Sequence, residues 1–140
     1  VIVHHNIFRR FYDMKGREKN SRSYFKEDLY FCSIDQIYLY KKDDKWLSCM
    51  DRCFVKPILE TGMLSVDKEK PLIGVVKYDN RYLNKLGVKT NMLVTFAPNS
   101  EFEFIVNNER LYCMKSNNIA IKHERKGNEK EYNPSWADCS

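Results

Sequence analysis

Residues 102–114 read FEFIVNNERLYCM, and this stretch decides the fold class. Two runs rich in aromatic and β-branched residues flank the pair Asn107-Asn108, and such runs favour pleated, half-buried strands. Asparagine accepts the positive φ angles that a two-residue hairpin turn requires. The stretch therefore predicts an antiparallel hairpin and indicates a β protein.

Further strand-like runs lie on both sides of this hairpin, at 51–58, 72–78, 92–96 and 119–122. Turn-forming residues separate these short runs at regular intervals, which is typical of a small sandwich or barrel. We expect an all-β fold with a small, partly open barrel over 51–122. An arm with a hairpin over 1–50 precedes this barrel, and a polar tail over 123–140 follows it.

Three positions within 51–122 predict local details. Pro57 lacks an N–H group, so it is expected to end its strand or to lie on an edge. Gly74 indicates a close approach of two backbones or a bulge. The stretch 79–88 is expected to be a linker, because Gly87 interrupts any helix there.

The first 50 residues predict smaller elements. A polar run over 13–23 is typical of an exposed loop. Two apolar runs surround the charged turn at 41–45 and predict a hairpin. Ser33 is also suited to cap a single helical turn over 34–36.

The composition excludes several classes of protein. Hydrophobic residues make up 43% of the 140 positions, enough to bury a core, which excludes wholesale disorder. The longest apolar runs span a few residues, far too few to cross a membrane. Five cysteines lie scattered, mostly in apolar runs, which favours reduced thiols in a cytosolic setting. The net charge of +5 permits an anionic partner without requiring one.

The sequence lacks the common catalytic motifs. It contains no phosphate-binding glycine loop, no dinucleotide-binding glycine pattern, no HExxH pair and no serine elbow. The adjacent His4 and His5 would point to opposite faces of a strand. The spacing Cys49-x-x-x-Cys53 has no matching second pair for a tetrahedral metal. We therefore expect no enzymatic activity, no cofactor and no metal site.

Two segments outside the barrel are candidates for contacts with partners. Phe8, Arg9, Arg10 and Phe11 interleave rings with cations, as a single-stranded nucleic-acid site would. The interpretation we favour is an arm that packs its rings on a neighbouring subunit while its charges stay in water. Near the C-terminus, Tyr132 and Trp136 flank a proline and are suited either to docking in a neighbour's pocket or to a disordered end.

The order of the strands resembles the ten-kilodalton co-chaperonin family, the GroES type. Residues 51–57 resemble its first strand, and 68–76 resemble the strand that returns from its mobile loop. Residues 87–96 are similar to its Val-Lys-x-Gly-Asp-x-Val-x-Phe segment, 104–114 to its following hairpin, and 118–121 to its closing strand. The usual Gly-Asp turn is replaced by Thr90-Asn91, and the presumed loop between Pro57 and Lys70 is shorter than in the family.

The resemblance implies a fold and a function for 51–122. Gly62, Met63 and Leu64 correspond to the apolar tip of the mobile loop that binds a chaperonin, although Met63 and Leu64 could also fold back onto their own barrel. The implied protein is a homo-oligomeric ring, seven-fold in the family, in the cytoplasm of a bacterial host. The two added segments resemble those of co-chaperonins from large phages. They also suit an alternative, a structural protein of a virion that reuses the barrel and contacts neighbouring capsid subunits.

Overall fold

The computed structural model describes residues 1–60, 68–127 and 129–138, except for the side chains of Ser135 and Asp138. The chain divides into two compact units, Val1–Cys49 and Met50–Ser140. Strands dominate both units, and the predicted all-β class is confirmed. Among the described residues, no helix is long and apolar enough to span a membrane.

The first unit consists of one three-stranded sheet and two small hairpins. The sheet has the order β1-β6-β7, while β2 pairs with β3 and β4 pairs with β5. Short 3-10 helices occupy His5–Phe8 and Ile34–Gln36. The strands are β1 (Ile2–Val3), β2 (Phe11–Tyr12), β3 (Glu18–Lys19), β4 (Tyr24–Lys26), β5 (Leu29–Tyr30), β6 (Ile37–Lys42) and β7 (Lys45–Ser48).

Two sequence predictions for this unit are confirmed and one is corrected. The β6–β7 hairpin turns at Asp43 and Asp44, which both have positive φ. The helical turn at 34–36 follows Ser33, whose backbone N–H donates to Gln36 Oε1 at 2.9 Å. The polar run at 13–23 is not a simple loop, because β3 lies within it and pairs with β2.

The second unit is built on a six-stranded antiparallel sheet with the order β11-β12-β8-β9-β10-β13. One α-helix and two 3-10 helices, Ser116–Asn118 and Ser135–Asp138, complete the described part of this unit. The elements are β8 (Arg52–Leu59), β9 (Glu69–Tyr78), α1 (Arg81–Lys85), β10 (Leu93–Phe96), β11 (Phe102–Val106), β12 (Glu109–Lys115) and β13 (Ile119–His123).

The sheet has two free edges within the described ranges. β11 pairs only with β12, and β13 pairs only with β10. These strands do not form a closed barrel. The hairpin at 102–114 is confirmed, with its turn at Asn107 and Asn108 at φ of 50° and 62°.

The core of this unit lies around β8, whose residues 53–58 are all buried. One face of the strand, with Cys53 and Val55, enters a cluster that includes Phe96 and Met114. The opposite face places Phe54 edge-on against Tyr78 and Phe104. Since both faces are covered, the sequence of β8 does not alternate between apolar and polar residues, and Lys56 is the one charged residue of 53–58.

The stretch 79–88 is not a linker, because it contains α1. The side chain of Asn80 caps this helix by accepting a hydrogen bond from the Leu83 N–H at 2.9 Å, a common N-cap arrangement. Leu83 is fully buried in the core. Gly87 does lie just after the helix with φ of +79°, so it ends the helix rather than preventing it.

Gly74 marks a close approach, as predicted. A Cβ atom at this position would lie 2.5 Å from Val55 Cγ1 and 2.6 Å from the Lys56 carbonyl oxygen. Pro57 lies inside β8, where it faces Gly74 across the β9 pairing. Of the two alternatives predicted for Pro57, the end of the strand is wrong, since β8 continues to Leu59. The edge position agrees with the structure, since β12 pairs with β8 only as far as Val55.

Candidate functional site

The loop predicted to bind a chaperonin lies between β8 and β9. Its residues Gly62, Met63 and Leu64 lie outside the described part of the chain. The ends of β8 and β9 that flank the loop, which we call its legs, are paired. Leu59 faces Glu69, and the Glu60 N–H donates to the Lys68 carbonyl at 2.8 Å. Segment 61–67 therefore connects the two legs of a β-hairpin.

A polar network holds the β9 leg at Glu69. Arg110 Nη1 donates to Glu69 Oε2 at 2.5 Å, and the Tyr112 hydroxyl donates to Glu69 Oε1 at 2.5 Å. Arg110 Nε also donates to Glu103 Oε2 at 2.9 Å. Burial, together with the hydrogen bond to Glu69, raises the pKa of the Tyr112 hydroxyl well above its usual range. Tyr112 thus stays protonated and remains a donor at neutral pH.

The C-terminal segment holds the β8 leg. Leu59 N–H donates to the Lys130 carbonyl at 2.7 Å, and Tyr132 N–H donates to the Pro57 carbonyl at 2.8 Å. Glu131 forms a β-bridge with Ile58 and an ion pair with Lys77 at 2.6 Å. Because β9 occupies one side of β8 and β12 pairs only as far as Val55, this segment takes the remaining edge. We call residues 129–134 the C-terminal clasp.

Asn133 connects the clasp to a buried lysine. Lys56 is 2% exposed, and its Nζ donates to Asn133 Oδ1 at 2.7 Å. The same oxygen accepts the Arg110 N–H at 2.9 Å, and Asn133 Nδ2 donates to the Asn108 carbonyl at 3.1 Å. A buried ammonium needs such an acceptor, since burial without one is strongly unfavourable.

Two cavities open beside the base of the loop. One, of about 420 Å³, is lined by Lys68, Glu69, Arg110, Tyr132, Pro134 and Trp136. The other, of about 550 Å³, is lined by both apolar and charged residues: Ile58, Leu59, Lys70, Ile73, Leu93, His123, Glu124, Lys126 and Glu129.

The other predicted contact residues fall into two groups. Phe8, Arg9, Arg10 and Phe11 are all exposed in the first unit, where Phe8 packs edge-on against Tyr30 at 4.8 Å. In the second unit, Tyr132 is half-buried beside β8, while Trp136 is 54% exposed. The structure brings Tyr132 and Trp136 together at one cavity of their own unit.

Two buried thiols, those of Cys53 and Cys113, are protonated at neutral pH. Burial raises the pKa of Cys53 to about 12 and that of Cys113 to about 11. Within the described residues, no group of three or more His, Cys, Asp or Glu side chains converges as metal ligands would.

Sequence reasoning missed the Glu69 network and the clasp. Arg110 and Tyr112 are two positions apart on β12 and therefore share a face, a signal that indicates a polar patch. Lys56 inside an apolar run signals a buried cation that needs a partner. Neither signal identifies the partner, because Glu69 and Asn133 lie far away in the chain.

No family model, no curated protein and no solved structure matches this chain.

Proposed function

We propose that the chain is a co-chaperonin-like ring subunit of the GroES type, encoded by a phage and acting in the cytoplasm of the bacterial host. It caps a chaperonin through the loop that contains Gly62, Met63 and Leu64, and it has no enzymatic activity of its own. The partner hydrolyses ATP, so this chain needs no cofactor. Its role is to assist the folding of other proteins.

The firmly held base of the loop is the observation that supports this proposal most. Glu69 is tied to β12, and the clasp covers the last residues of β8. A short apolar sequence on a fixed base loses less conformational freedom on binding than one on a loose linker. The two cavities beside the base add apolar and charged surface for a protein partner.

The free edges of the sheet support assembly into a ring. An open edge is a template for pairing with another chain. β11 exposes Phe102 and Ile105 and has Glu101 beside it, whereas β13 exposes Ile121 and Lys122. Pairing of β11 in one copy with β13 in the next joins two different edges, and a repeated heterologous contact of this kind gives a ring when the rotation between copies closes.

The test replaces the apolar tip with acids. We expect Met63→Glu combined with Leu64→Glu to abolish chaperonin binding and stimulation of refolding, because a charged tip resists burial in an apolar groove. Tyr82→Glu combined with Leu86→Glu is the matched control, since both residues are exposed apolar positions elsewhere in the unit. Mass photometry of each variant and of the wild type reports whether rings form.

Two results contradict the proposal. A loop variant that still stimulates refolding shows that the loop was wrongly assigned. A wild-type protein that remains monomeric at micromolar concentration contradicts the ring.

The alternative function is a structural or accessory protein of a phage particle. The first unit favours it, because this unit exposes many large apolar side chains that neighbouring capsid subunits could cover. Mass spectrometry of purified particles separates the two functions. A fixed copy number in the virion decides for the structural role, whereas absence from particles with co-purification of a chaperonin decides for the co-chaperonin.

A further inference from the structure

The net positive charge of the protein comes entirely from its first 26 residues. This segment holds seven Lys or Arg residues and two acidic residues, a surplus of five. The whole chain has the same surplus of +5, so residues 27–140 balance to zero. All seven cations are exposed: Arg9, Arg10, Lys15, Arg17, Lys19, Arg22 and Lys26.

Exposed rings lie among these charges. Phe8 is 53% exposed, Phe11 48%, Tyr12 73% and Phe25 58%. Large aromatic side chains in a monomer are normally buried, so a group of exposed rings marks a surface that contacts something else.

The β2–β3 hairpin places a ring beside a cation. Phe11 lies directly opposite Lys19 in the register, and paired residues of two antiparallel strands project from the same face. Tyr12 lies opposite Glu18 on the other face. Ring and ammonium together can contact a stacked base and its neighbouring phosphate.

The acids of this segment leave most of the cations without a carboxylate partner. Asp13 pairs with Arg17 and Glu18 pairs with Arg10, each at 3.5 Å. Within the described residues, no carboxylate forms an ion pair with the other five cations, which are Arg9, Lys15, Lys19, Arg22 and Lys26. Their charge is available to an anionic ligand.

We propose that this cationic–aromatic surface, residues 8–11 with Lys15, Lys19 and Arg22, binds single-stranded nucleic acid. Unpaired bases stack on exposed rings irrespective of sequence, while the cations neutralise the phosphates. An acidic protein would use the cations but would leave the rings without stacking partners. This activity goes beyond the proposed co-chaperonin role and resides in residues outside the sheet of the second unit.

The test measures binding of the full chain to fluorescent oligothymidine and oligouridine of about 20 nucleotides, longer than the 4–16 that small domains cover. We expect binding at about 50 mM salt that weakens steeply towards 200 mM, because counterions are released from the strand. An unlabelled duplex and polyglutamate serve as competitors. Each should compete at least about tenfold less well than a single strand, since neither offers an unpaired base face.

Charge variants locate the surface. Lys19→Glu combined with Arg22→Glu should weaken binding at least about tenfold. The salt slope, which is the slope of the logarithm of the binding constant against the logarithm of salt concentration, should become shallower by about 1.4, because each phosphate contact to a single strand contributes about 0.7. Lys85→Glu combined with Lys89→Glu is the matched control, with the same change in net charge at exposed positions of the second unit. It should change affinity less than about twofold.

Ring variants test stacking separately from charge. Phe11→Ala should weaken binding about tenfold or more, with the salt slope unchanged. Tyr12→Ala, at an exposed ring on the other face beside Glu18, is the matched control and should have a smaller effect. Circular dichroism establishes that each variant keeps the fold of the wild type. The proposal is overturned if the wild type does not bind at the lower salt, if the control charge pair weakens binding as much as the test pair, or if polyglutamate competes equally well. The last result indicates an acidic protein partner instead.

Discussion

The two units of this protein differ in where they keep their apolar side chains. Among the described residues, the second unit buries sixteen hydrophobic residues and exposes seven large ones, whereas the first buries three and exposes twelve. Strands are the main regular element in both, so the contrast does not come from secondary structure. The second unit stabilises itself by burial. The first unit leaves many of its rings exposed.

The difference shows that aromatic residues have two structural roles in this chain: some fill a core and others remain exposed. In the second unit, Phe54 and Phe96 supply core volume on a six-stranded sheet. In the first, Phe8 and Phe11 lie on two-residue elements and 3-10 turns that are too small to cover them. A partner that covers these rings would remove their apolar surface from water, and this burial would stabilise the complex.

The largest expected effect distinguishes the two kinds of phenylalanine. Phe54→Ala should lower the free energy of unfolding of the second unit by about 4 kcal/mol, because it leaves a cavity between β8 and its neighbours. Phe11→Ala, at a half-exposed ring, should cost about 1 kcal/mol or less in the first unit.

The chain offers one tryptophan for each unit as a reporter. Trp46 lies in the first unit and Trp136 in the second, so Trp46→Phe and Trp136→Phe backgrounds isolate one signal each in urea titrations. Equal losses from Phe54→Ala and Phe11→Ala would show that the contrast between the units is wrong.

A smaller effect is expected from the clasp. Asn133→Ala removes the Oδ1 that accepts from the buried Lys56 ammonium, and the loss of a hydrogen bond to a charged group should cost about 2 kcal/mol. Asn117→Ala, at an exposed asparagine, is the control and should change stability by less than about 0.5 kcal/mol. The urea midpoints of the two variants, measured by Trp136 fluorescence, are compared. An unchanged midpoint for Asn133→Ala would show that the clasp does not stabilise the second unit.

The smallest effect involves chemistry rather than stability. Cys32 is exposed in the first unit, while Cys53 is fully buried in the second with its pKa raised to about 12. Since the thiolate is the reactive form, labelling of Cys53 should stay slow even at about pH 9, whereas Cys32 is modified in the folded protein. Peptide mass spectrometry after brief iodoacetamide treatment, with and without urea, measures both. Rapid native labelling of Cys53 would contradict the packing around β8.

Local features, which depend on residues close together in the sequence, could be predicted from the sequence. The turn at Asn107-Asn108 depends on two residues that tolerate positive φ, and Gly74 was the residue that a close approach required. The helix α1 was missed because Gly87 was expected to interrupt any helix in 79–88, and five residues are too few to show a helical period. For Pro57 the structure agrees with the edge alternative, because a missing N–H is harmless on a side of β8 that β12 does not reach.

The parts of the site that join distant residues could not be predicted. Glu69 and Arg110 are 41 positions apart, and Lys56 and Asn133 are 77 apart. A single sequence shows which polar groups require partners but not which ones the topology brings together. The exposed residues of the first unit were recognised by type, and their exposure comes from the small size of its sheet.

The clasp also orders events during synthesis. Lys56 emerges from the ribosome long before Asn133, and the edge of β8 beyond Val55 stays uncovered until residues 130–132 follow. The pairings of the first unit, by contrast, span at most the distance from Ile2 to Leu39. Such local pairing is fast, and long-range closure is slow. The nascent chain therefore acquires its first unit early, while the strand leading to the 61–67 loop is completed among the last.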